Sequence, residues 1–325
     1  MTIMTMRESI SLALFEEMRR DSRVMLLGQD IGVNGGVFRV TDGLIGEFGP
    51  DRVYDTPISE AAIIGSSVGL AVAGMIPVPE IQFMGFSLQA FHQIAGPLSR
   101  MRYRSKGRFE CPVTVRMPFG GNINSPELHS DSFDALYAHI PGLKIVVPST
   151  AFDAKGLLAA SIRDVNPVLF LEPLRGYRGI RDEVPEEEYL IPLGKAREVR
   201  RGDDITIIAW GYMVKTVERA AERLQHECEV SVNILDLRSL CPLDEEAIAE
   251  AVARTGRVIV VEEAAFTAGF AAEIVATIQE QSFYSLEAPV RRVTGYDIPM
   301  PNSWQAHYIP DEARIIKVIK ETLDA

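Results

Sequence analysis

Short apolar runs alternate with amphipathic segments along almost the whole chain, and this alternation restricts the fold more than any other feature. Runs such as Val24–Leu27, Ile76–Ile81 and Val168–Leu171 are almost wholly apolar, as expected of strands that are covered on both faces. The segments between the runs, for example 7–20 and 151–163, have the spacing of helices with one buried face. The pattern predicts an α/β fold in which helices cover both faces of a parallel sheet.

The alternation stops once, between residues 172 and 192, where three prolines and the acidic run Glu186–Glu188 occur. It then restarts, from a strand at Ile205–Ala209 to a final helix at about 311–323. A length of 325 residues fits two domains of about 150 residues each. We therefore predict one domain over residues 1–180 and a second, smaller α/β domain over residues 181–325. A long surface loop within a single domain is the alternative.

Charge and cysteine content disfavour several classes of protein. The net charge of −12 argues against nucleic acid or an anionic membrane surface as a partner. Three widely spaced cysteines argue against a disulfide framework or a cysteine zinc site, and they fit a cytoplasmic protein. Residues 61–79 are uncharged and long enough to cross a bilayer, but interrupting glycines and prolines predict a buried helix over about 59–74 and then a strand.

The segment Gly65–Gly69 matches the Gly-x-Ser-x-Gly pattern of serine hydrolases, with Ser67 as nucleophile. That motif needs a strand, a sharp turn and then a helix, whereas Ser67 falls inside the predicted helix. Small residues recur every four positions here and predict a close contact with another helix or subunit: Ala61, Gly65, Gly69 and Ala73. A serine hydrolase remains the alternative from a different functional class.

Two titratable residues are candidates for proton transfer. Glu60 opens a helix that is otherwise uncharged. A first-turn carboxylate with Ser59 as the cap is the simpler explanation. The apolar surroundings nevertheless leave Glu60 poorly solvated, as acid–base residues often are. His129 lies in the polar, glycine-containing segment 119–131, and loops after parallel strands carry the sites of α/β proteins.

Taken in order, nine blocks resemble the beta subunits of thiamine-diphosphate-dependent 2-oxo acid dehydrogenases, in the component that decarboxylates the 2-oxo acid. They run nearly from end to end: Asp55–Glu60, Pro79–Phe83, Met101–Ser105, Pro126–His129, Ile140–Lys144, Asp153–Leu158, Ile162–Pro167, Asp236–Arg238 and Leu286–Val290. The resemblance implies a parallel-sheet, pyrimidine-binding domain of the thiamine diphosphate type. A smaller domain like the C-terminal domain of transketolase would follow it.

The resemblance also implies partners and an activity. By this resemblance, the chain would form an alpha2beta2 heterotetramer with an alpha subunit that holds the diphosphate and Mg²⁺. The absence of a Gly-Asp-Gly…Asn motif from this chain agrees with that division. The enzyme would oxidatively decarboxylate a 2-oxo acid, pyruvate being favoured, and acylate the lipoyl groups of an acyltransferase core. A branched-chain or acetoin-type beta subunit and a non-catalytic assembly subunit are the alternatives.

Carried over by position, the resemblance assigns roles to individual residues. Glu60 would hydrogen-bond the aminopyrimidine ring of the cofactor and favour the tautomer that removes the thiazolium proton. Gln82 and Phe86 would line the aminopyrimidine pocket, and His129 would assist acyl transfer to lipoamide. Relatives also bind a structural potassium ion, whose ligands here would be the carbonyls of Val113, Ser161 and Ile162, with Asp164 and Asn166 nearby. Such an oxygen-rich set suits a hard cation.

Two positions depart from the family pattern and bear on substrate preference. Some relatives have a second histidine where Asn124 stands, and many have aspartate where Gly85 stands. The segment from Gly120 to His129 most resembles bacterial enzymes that act on pyruvate.

Overall fold

A computed structural model describes residues 1–121 and 123–325. Its first part contains β1 (Thr2–Thr5), α1 (Met6–Arg20), β2 (Val24–Gly28), α2 (Leu44–Phe48), β3 (Val53–Asp55), α3 (Glu60–Val72), β4 (Ile76–Glu80), α4 (Phe91–Gln93), α5 (Ser99–Arg104), β5 (Thr114–Phe119), α6 (Asp134–Ala138), β6 (Lys144–Val146), α7 (Ala151–Ile162), β7 (Val168–Pro173), α8 (Gly176–Gly179) and β8 (Arg181–Val184). The second part contains β9 (Arg197–Arg200), β10 (Ile205–Ala209), α9 (Tyr212–Cys228), β11 (Val232–Asp236), β12 (Ser239–Cys241), α10 (Glu245–Thr255), β13 (Val258–Val261), α11 (Phe270–Ser282), β14 (Arg291–Val293), α12 (Gln305–Tyr308) and α13 (Glu312–Leu323).

Two mainly parallel sheets organise these elements. The larger has the strand order β12-β6-β7-β5-β4-β2-β3, and the smaller has the order β14-β13-β10-β11-β9. Only their edge strands β12 and β9 pair antiparallel with a neighbour in the described parts of the chain. Strands β2, β4, β5 and β7 are buried along their whole length, which explains why they lack an alternating polar pattern. The predicted α/β fold is confirmed.

The segment predicted as a domain junction is tied to both of its neighbours. Strand β8 pairs antiparallel with β1 at the start of the chain. The buried ammonium of Lys155 then donates to the carbonyls of Pro185 at 2.8 Å and Glu187 at 3.0 Å, and it lies 2.8 Å from the Glu16 carboxylate. Farther along, β12 joins the edge of the larger sheet. The division at 180/181 stays a prediction, because the chain makes contacts across it in both directions.

An apolar core and a buried ionic group join the two parts of the chain. The core packs Leu171 of the larger sheet with Trp210 and Leu240 of the second part. In the ionic group, Arg238 lies 3.2 Å from the Asp153 carboxylate, and Arg197 lies 3.5 Å from Asp153 and 3.3 Å from Asp236. Burial and the nearby Asp153 raise the pKa of Asp236 to about 6. The two parts therefore share one apolar core and one group of ion pairs.

The sequence of residues 87–104 predicts one long helix, but the structure does not form a regular helix there. The chain instead forms a 3₁₀ helix over Met84–Ala90, the short helix α4, a π-helical turn over Ile94–Leu98 and then α5. Pro97 lies inside the π turn, where it has no N–H to donate and crowds the preceding turn. The early 3₁₀ turn places Gln82 and Phe86 immediately after β4.

A buried arginine crosslinks three central strands of the larger sheet. Arg116 on β5 donates to Glu80 at the end of β4 at 2.7 Å, and to both oxygens of Glu172 on β7 at 2.7 and 2.9 Å. The Tyr177 hydroxyl also donates to Glu172. Burial raises the pKa of Glu80, while the two carboxylates outweigh burial and raise the pKa of Arg116. Each charge is buried, so each depends on the others for compensation.

We expect Arg116→Leu to lower the free energy of unfolding by about 3–5 kcal/mol, because two buried carboxylates would lose their cation. Denaturant unfolding followed by circular dichroism measures the loss. Arg201, which is exposed, supplies the matched control: Arg201→Leu should change stability by no more than about 0.5 kcal/mol. Equal midpoints for the two variants would contradict the crosslinking role.

Candidate active site

Four neighbouring parallel strands end at one edge of the larger sheet, and the loops after them carry the predicted cofactor residues. The strands lie in the order β5-β4-β2-β3. His129 follows β5, Gln82 and Phe86 follow β4, Asp30 follows β2, and Glu60 follows β3. Because parallel strands bring their carboxyl ends together, the topology gathers these side chains at the edge where α/β proteins bind ligands.

Glu60 is the first residue of α3, and its side chain is 6% exposed. Its Oε2 atom is buried and has no hydrogen-bond partner in the described part of the chain. The predicted cap is wrong, since the Ser59 side chain makes no capping hydrogen bond. A buried polar oxygen without a partner costs free energy. Glu60 therefore has a carboxylate oxygen available for a group from outside the chain.

Gln82 and Phe86 lie on the turn between β4 and α4. The Gln82 amide nitrogen is 3.3 Å from the carbonyl of Gln29 and 3.5 Å from the Asp30 carboxylate. These contacts fix the amide beside the loop that follows β2. The Phe86 ring is half-buried and packs edge-on against Phe83, with ring centroids 5.8 Å apart.

His129 packs against the same two aromatic rings. Its imidazole centroid lies 4.4 Å from that of Phe83 and 5.0 Å from that of Phe86. Nδ1 is 2.9 Å from the Glu127 carbonyl, a contact that places the proton of a neutral ring on Nδ1. Nε2 is then left with its lone pair for another group. Phe83 was not predicted as a site residue, although it lies between Gln82 and Phe86 and ends one of the blocks that carry the resemblance.

Gly85 is explained by the close approach of the loop that carries His129. A Cβ atom at residue 85 would lie 2.1 Å from the carbonyl oxygen of Leu128 and 2.9 Å from the Asp131 carboxylate. No side chain fits there unless the loop moves away. The aspartate that many relatives carry at this position is therefore incompatible with this arrangement of the loop.

Four carboxyl groups lie behind that loop, where it meets the second part of the chain, and the sequence analysis did not predict them. Burial and neighbouring Asp134 raise the pKa of Glu262 to about 8. Burial raises the pKa of Glu263 to about 7 and also raises the pKa values of Asp131 and Asp134. The Trp210 indole donates to Asp134 at 2.9 Å. At neutral pH this group of residues is therefore partly protonated.

The residues predicted to bind potassium lie away from Glu60, at the opposite ends of the strands. Val113 immediately precedes β5, and Ser161, Ile162, Asp164 and Asn166 lie between α7 and β7 or at the end of α7. The Asp164 carboxylate pairs with Lys144 and accepts two hydrogen bonds from Asn166, both at 2.9 Å. Burial opposes these contacts, but together they lower the pKa of Asp164.

Ser67 lacks the surroundings of a nucleophile. It lies in the middle of α3, its side chain is fully buried, and its hydroxyl donates to the Ile63 carbonyl at 2.7 Å. The strand–turn–helix geometry of a nucleophile elbow does not occur at this serine. The structure therefore gives no support to the serine hydrolase alternative. Within residues 1–121 and 123–325, no helix combines the length and apolar character needed to cross a membrane.

Comparison with known proteins agrees with this architecture. A family model for the transketolase pyrimidine binding domain matches residues 3–179, and one for the transketolase C-terminal domain matches residues 194–315. A solved structure described as a split-gene transketolase, an inactive beta4 tetramer, superposes with a TM-score of 0.81. It covers 99% of this chain and 98% of its own, at 22% identity. This likeness concerns the fold.

Curated relatives match over the full length of both chains. The pyruvate dehydrogenase E1 component subunit beta of Bacillus subtilis is 48% identical over 325 residues. The proteins of the same name from Staphylococcus aureus and Staphylococcus epidermidis are 48% and 47% identical over the same length. The chain therefore belongs to the family of E1 beta subunits of 2-oxo acid dehydrogenases, whose two domains are of the transketolase type.

Proposed function

We propose that this chain is the beta subunit of a thiamine-diphosphate-dependent pyruvate dehydrogenase E1 component. The enzyme would decarboxylate a 2-oxo acid, pyruvate being favoured, and transfer the acyl group to lipoyl groups of an acyltransferase core. One observation carries the proposal: the unpartnered, buried Oε2 of Glu60 lies at the sheet edge that also presents Gln82, Phe86 and His129. Full-length relatives of the same name support it.

The residues at this edge fit the aminopyrimidine end of thiamine diphosphate. Oε2 of Glu60 can share a proton with a ring nitrogen, and Phe86 offers an aromatic edge to a flat ring. When bound, the cofactor supplies stabilisation of the carbanion formed on decarboxylation. We assign the diphosphate and its Mg²⁺ to the alpha subunit. The described residues contain no group of three His, Cys, Asp or Glu side chains suited to a metal.

Glu60 and His129 would manage protons at the two ends of this site. Oε2 of Glu60 is buried and has no partner in the described part of the chain, so it can share a proton with a bound ring. His129 has Nε2 free of contacts with Glu127. Nε2 can therefore take up a proton and pass it on as a lipoyl dithiolane opens.

Exposed apolar residues around the site support an alpha2beta2 assembly with an alpha subunit. Val33 is 81% and Ile58 is 72% exposed on the loops that follow β2 and β3, and a partner subunit seated on this edge would bury both side chains. On α3, Gly69 and Ala73 of the small-residue series face solvent. A second subunit can therefore approach that helix closely.

We also propose a reducing, cytoplasmic location, which is consistent with three free cysteines.

The substrate is tested by reconstituting the chain with its alpha subunit, thiamine diphosphate and Mg²⁺. Pyruvate, a branched-chain 2-oxo acid and acetoin would be compared in the same assay. We expect the highest kcat/KM with pyruvate and no turnover by the beta chain alone. A higher kcat/KM with either of the other two compounds would identify that compound, and not pyruvate, as the preferred substrate. Activity without the alpha subunit would contradict the proposed division of the site.

We expect Glu60→Gln to lower kcat of the reconstituted enzyme at least ~10²-fold, the usual scale of lost acid–base assistance. The amide has nearly the same shape, so the circular dichroism spectrum and Tm should stay close to those of the parent. Glu110, which is exposed, gives the control variant Glu110→Gln, expected to keep full activity. A Glu60→Gln enzyme of near-normal kcat would remove Glu60 from the mechanism.

His129→Ala should separate the two half-reactions. Decarboxylation, measured with an artificial electron acceptor, should survive better than acylation of a lipoyl domain, because only the second step needs a proton for the opening dithiolane. Exposed His226 on α9 supplies the control His226→Ala. Equal losses in both assays at saturating thiamine diphosphate would show that His129 only orders the loop or the cofactor.

We also propose a structural potassium ion at the loop between α7 and β7, bound by backbone carbonyls. The Val113 carbonyl accepts the Val168 N–H at 2.9 Å, and the Ser161 carbonyl accepts the Asp164 N–H at 3.2 Å. Each carbonyl keeps a second lone pair that a cation can use. The Ile162 carbonyl would complete this set. The carboxylate of Asp164 is already paired with Lys144, so it and Asn166 would serve to shape the loop.

Replacing KCl by choline chloride at equal ionic strength should lower Tm. An ion present at 100 times its Kd stabilises the folded state by about 2.7 kcal/mol, which corresponds to several degrees in a chain of this size. Differential scanning calorimetry of the reconstituted tetramer measures the difference. Lithium chloride is the control for a cation too small for the carbonyls. Identical Tm values in all three salts would rule out the site.

A further inference from the structure

The loop that carries His129, by which we mean the described residues between Gly120 and Phe133, is held from the second part of the chain. Gln305 on α12 is 1% exposed. Its Oε1 accepts the backbone N–H groups of Ile123 and Asn124, both at 3.0 Å, and its Nε2 donates to the Ser130 hydroxyl at 3.0 Å. One neutral side chain thus binds the loop on both sides of its tip.

A second contact holds the start of the loop. Glu263, which follows β13, accepts the Gly121 N–H at 3.0 Å. Both glycines are required by this approach. A Cβ on Gly120, whose φ is +85°, would lie 2.6 Å from the Glu263 carboxylate, and a Cβ on Gly121 would lie 2.9 Å from Ile309. The Gly-Gly pair is therefore shaped for the second part of the chain, from which both Glu263 and Ile309 come.

The remaining contacts of the loop face the cofactor edge. The Leu128 carbonyl lies over Gly85, and the imidazole of His129 contacts Phe83 and Phe86. His129 directly precedes Ser130, the residue that Gln305 holds. Adjacent Cα atoms are about 3.8 Å apart, so a shift of Ser130 must move His129 relative to the two phenylalanine rings.

We infer that Gln305, assisted by Glu263, is a positioning residue that fixes His129 against Phe83 and Phe86. Through it, the second part of the chain sets the geometry of the acyl-transfer step. The inference deepens the proposed function, on whose assignment of His129 it rests. The Gln305 amide suits this task because its oxygen accepts two backbone N–H groups while its nitrogen donates to a hydroxyl, so one rigid plane fixes three points of the loop.

Loss of this amide should release the loop rather than collapse the fold. A cavity of about 290 Å³, lined in part by Asp131, Glu263, Met300 and Tyr308, lies beside it. The freed N–H groups of Ile123 and Asn124 would have to find water, and the cavity gives the loop room to move toward it. His129 would then leave its contacts with the aromatic rings, while Glu60 at the start of α3 and Gln82 in the turn after β4 stay in place.

The test uses the alpha2beta2 holoenzyme with Gln305→Met, which has similar length but no amide, and Gln305→Glu, which keeps an acceptor oxygen. Exposed Gln225 on α9 gives the control Gln225→Met. We expect Gln305→Met to lower kcat for lipoyl-domain acylation about tenfold or more and to change decarboxylation with an artificial acceptor less than about threefold. Gln305→Glu should recover part of the acylation rate. Losses that are equal in both assays would overturn the positioning role.

Hydrogen exchange read by NMR or mass spectrometry gives a measurement independent of activity. In the parent enzyme the amides of Ile123 and Asn124 should be protected, and in Gln305→Met they should exchange about tenfold faster, on the scale of one lost hydrogen bond. Amides of β5 should not change. Unaltered exchange at Ile123 and Asn124 would refute the contact itself. A parent holoenzyme inactive toward every 2-oxo acid would instead refute the proposed function, and exchange would still decide whether Gln305 holds the loop.

Discussion

The bond network of Arg116 is the constraint on which the rest of the structure depends. One guanidinium joins Glu80 and Glu172, so it links the carboxyl ends of β4 and β7 across β5. The end of β4 leads directly into the turn that carries Gln82 and Phe86, and β5, which carries Arg116, leads into the loop that carries His129. Three buried charges are expensive unless each is compensated. The ion pairs among these three side chains therefore fix how far β4, β5 and β7 are shifted along one another. They thereby fix the points at which the site loops begin.

Contacts between the two parts of the chain explain how the second part contributes to a site that is built mostly on the first. Its strand β12 extends the larger sheet, its core residues pack with those of the larger sheet, and Glu263 and Gln305 reach the loop that carries His129. A loop of polar and glycine residues has little apolar surface of its own to bury. Hydrogen bonds from other elements therefore help to order the loop. They come from Glu263, which follows β13, and from Gln305 on α12.

Much of this architecture could be predicted from the sequence because strands buried on both faces leave continuous apolar runs, as in β10, whose predicted limits match the structure. The edge strands β1, β8, β9 and β12 escaped prediction because short, partly polar strands lack that signal. At the π turn that contains Pro97, a helix is predicted but its irregularity is not. The helical spacing of apolar residues continues across the turn, so it does not reveal the local change in backbone hydrogen bonding. Glu60 and His129 were recognisable from their neighbours in sequence. Glu263 and Gln305 were not, because their function depends on contacts with residues more than 140 positions away.

Glu60 itself is buried, but apolar side chains on the neighbouring loops are exposed. One carboxylate oxygen of Glu60 is buried without a hydrogen-bond partner in the described part of the chain, which costs free energy. Val33 and Ile58, on the neighbouring loops, are 81% and 72% exposed. A flat, proton-sharing ring would satisfy the carboxylate, and a partner subunit would cover the apolar side chains. The ring alone would leave the apolar side chains exposed, and the subunit alone would leave the carboxylate oxygen without a partner. The geometry of this chain therefore favours a site in which ligand and partner are bound together, and the two should stabilise each other's binding.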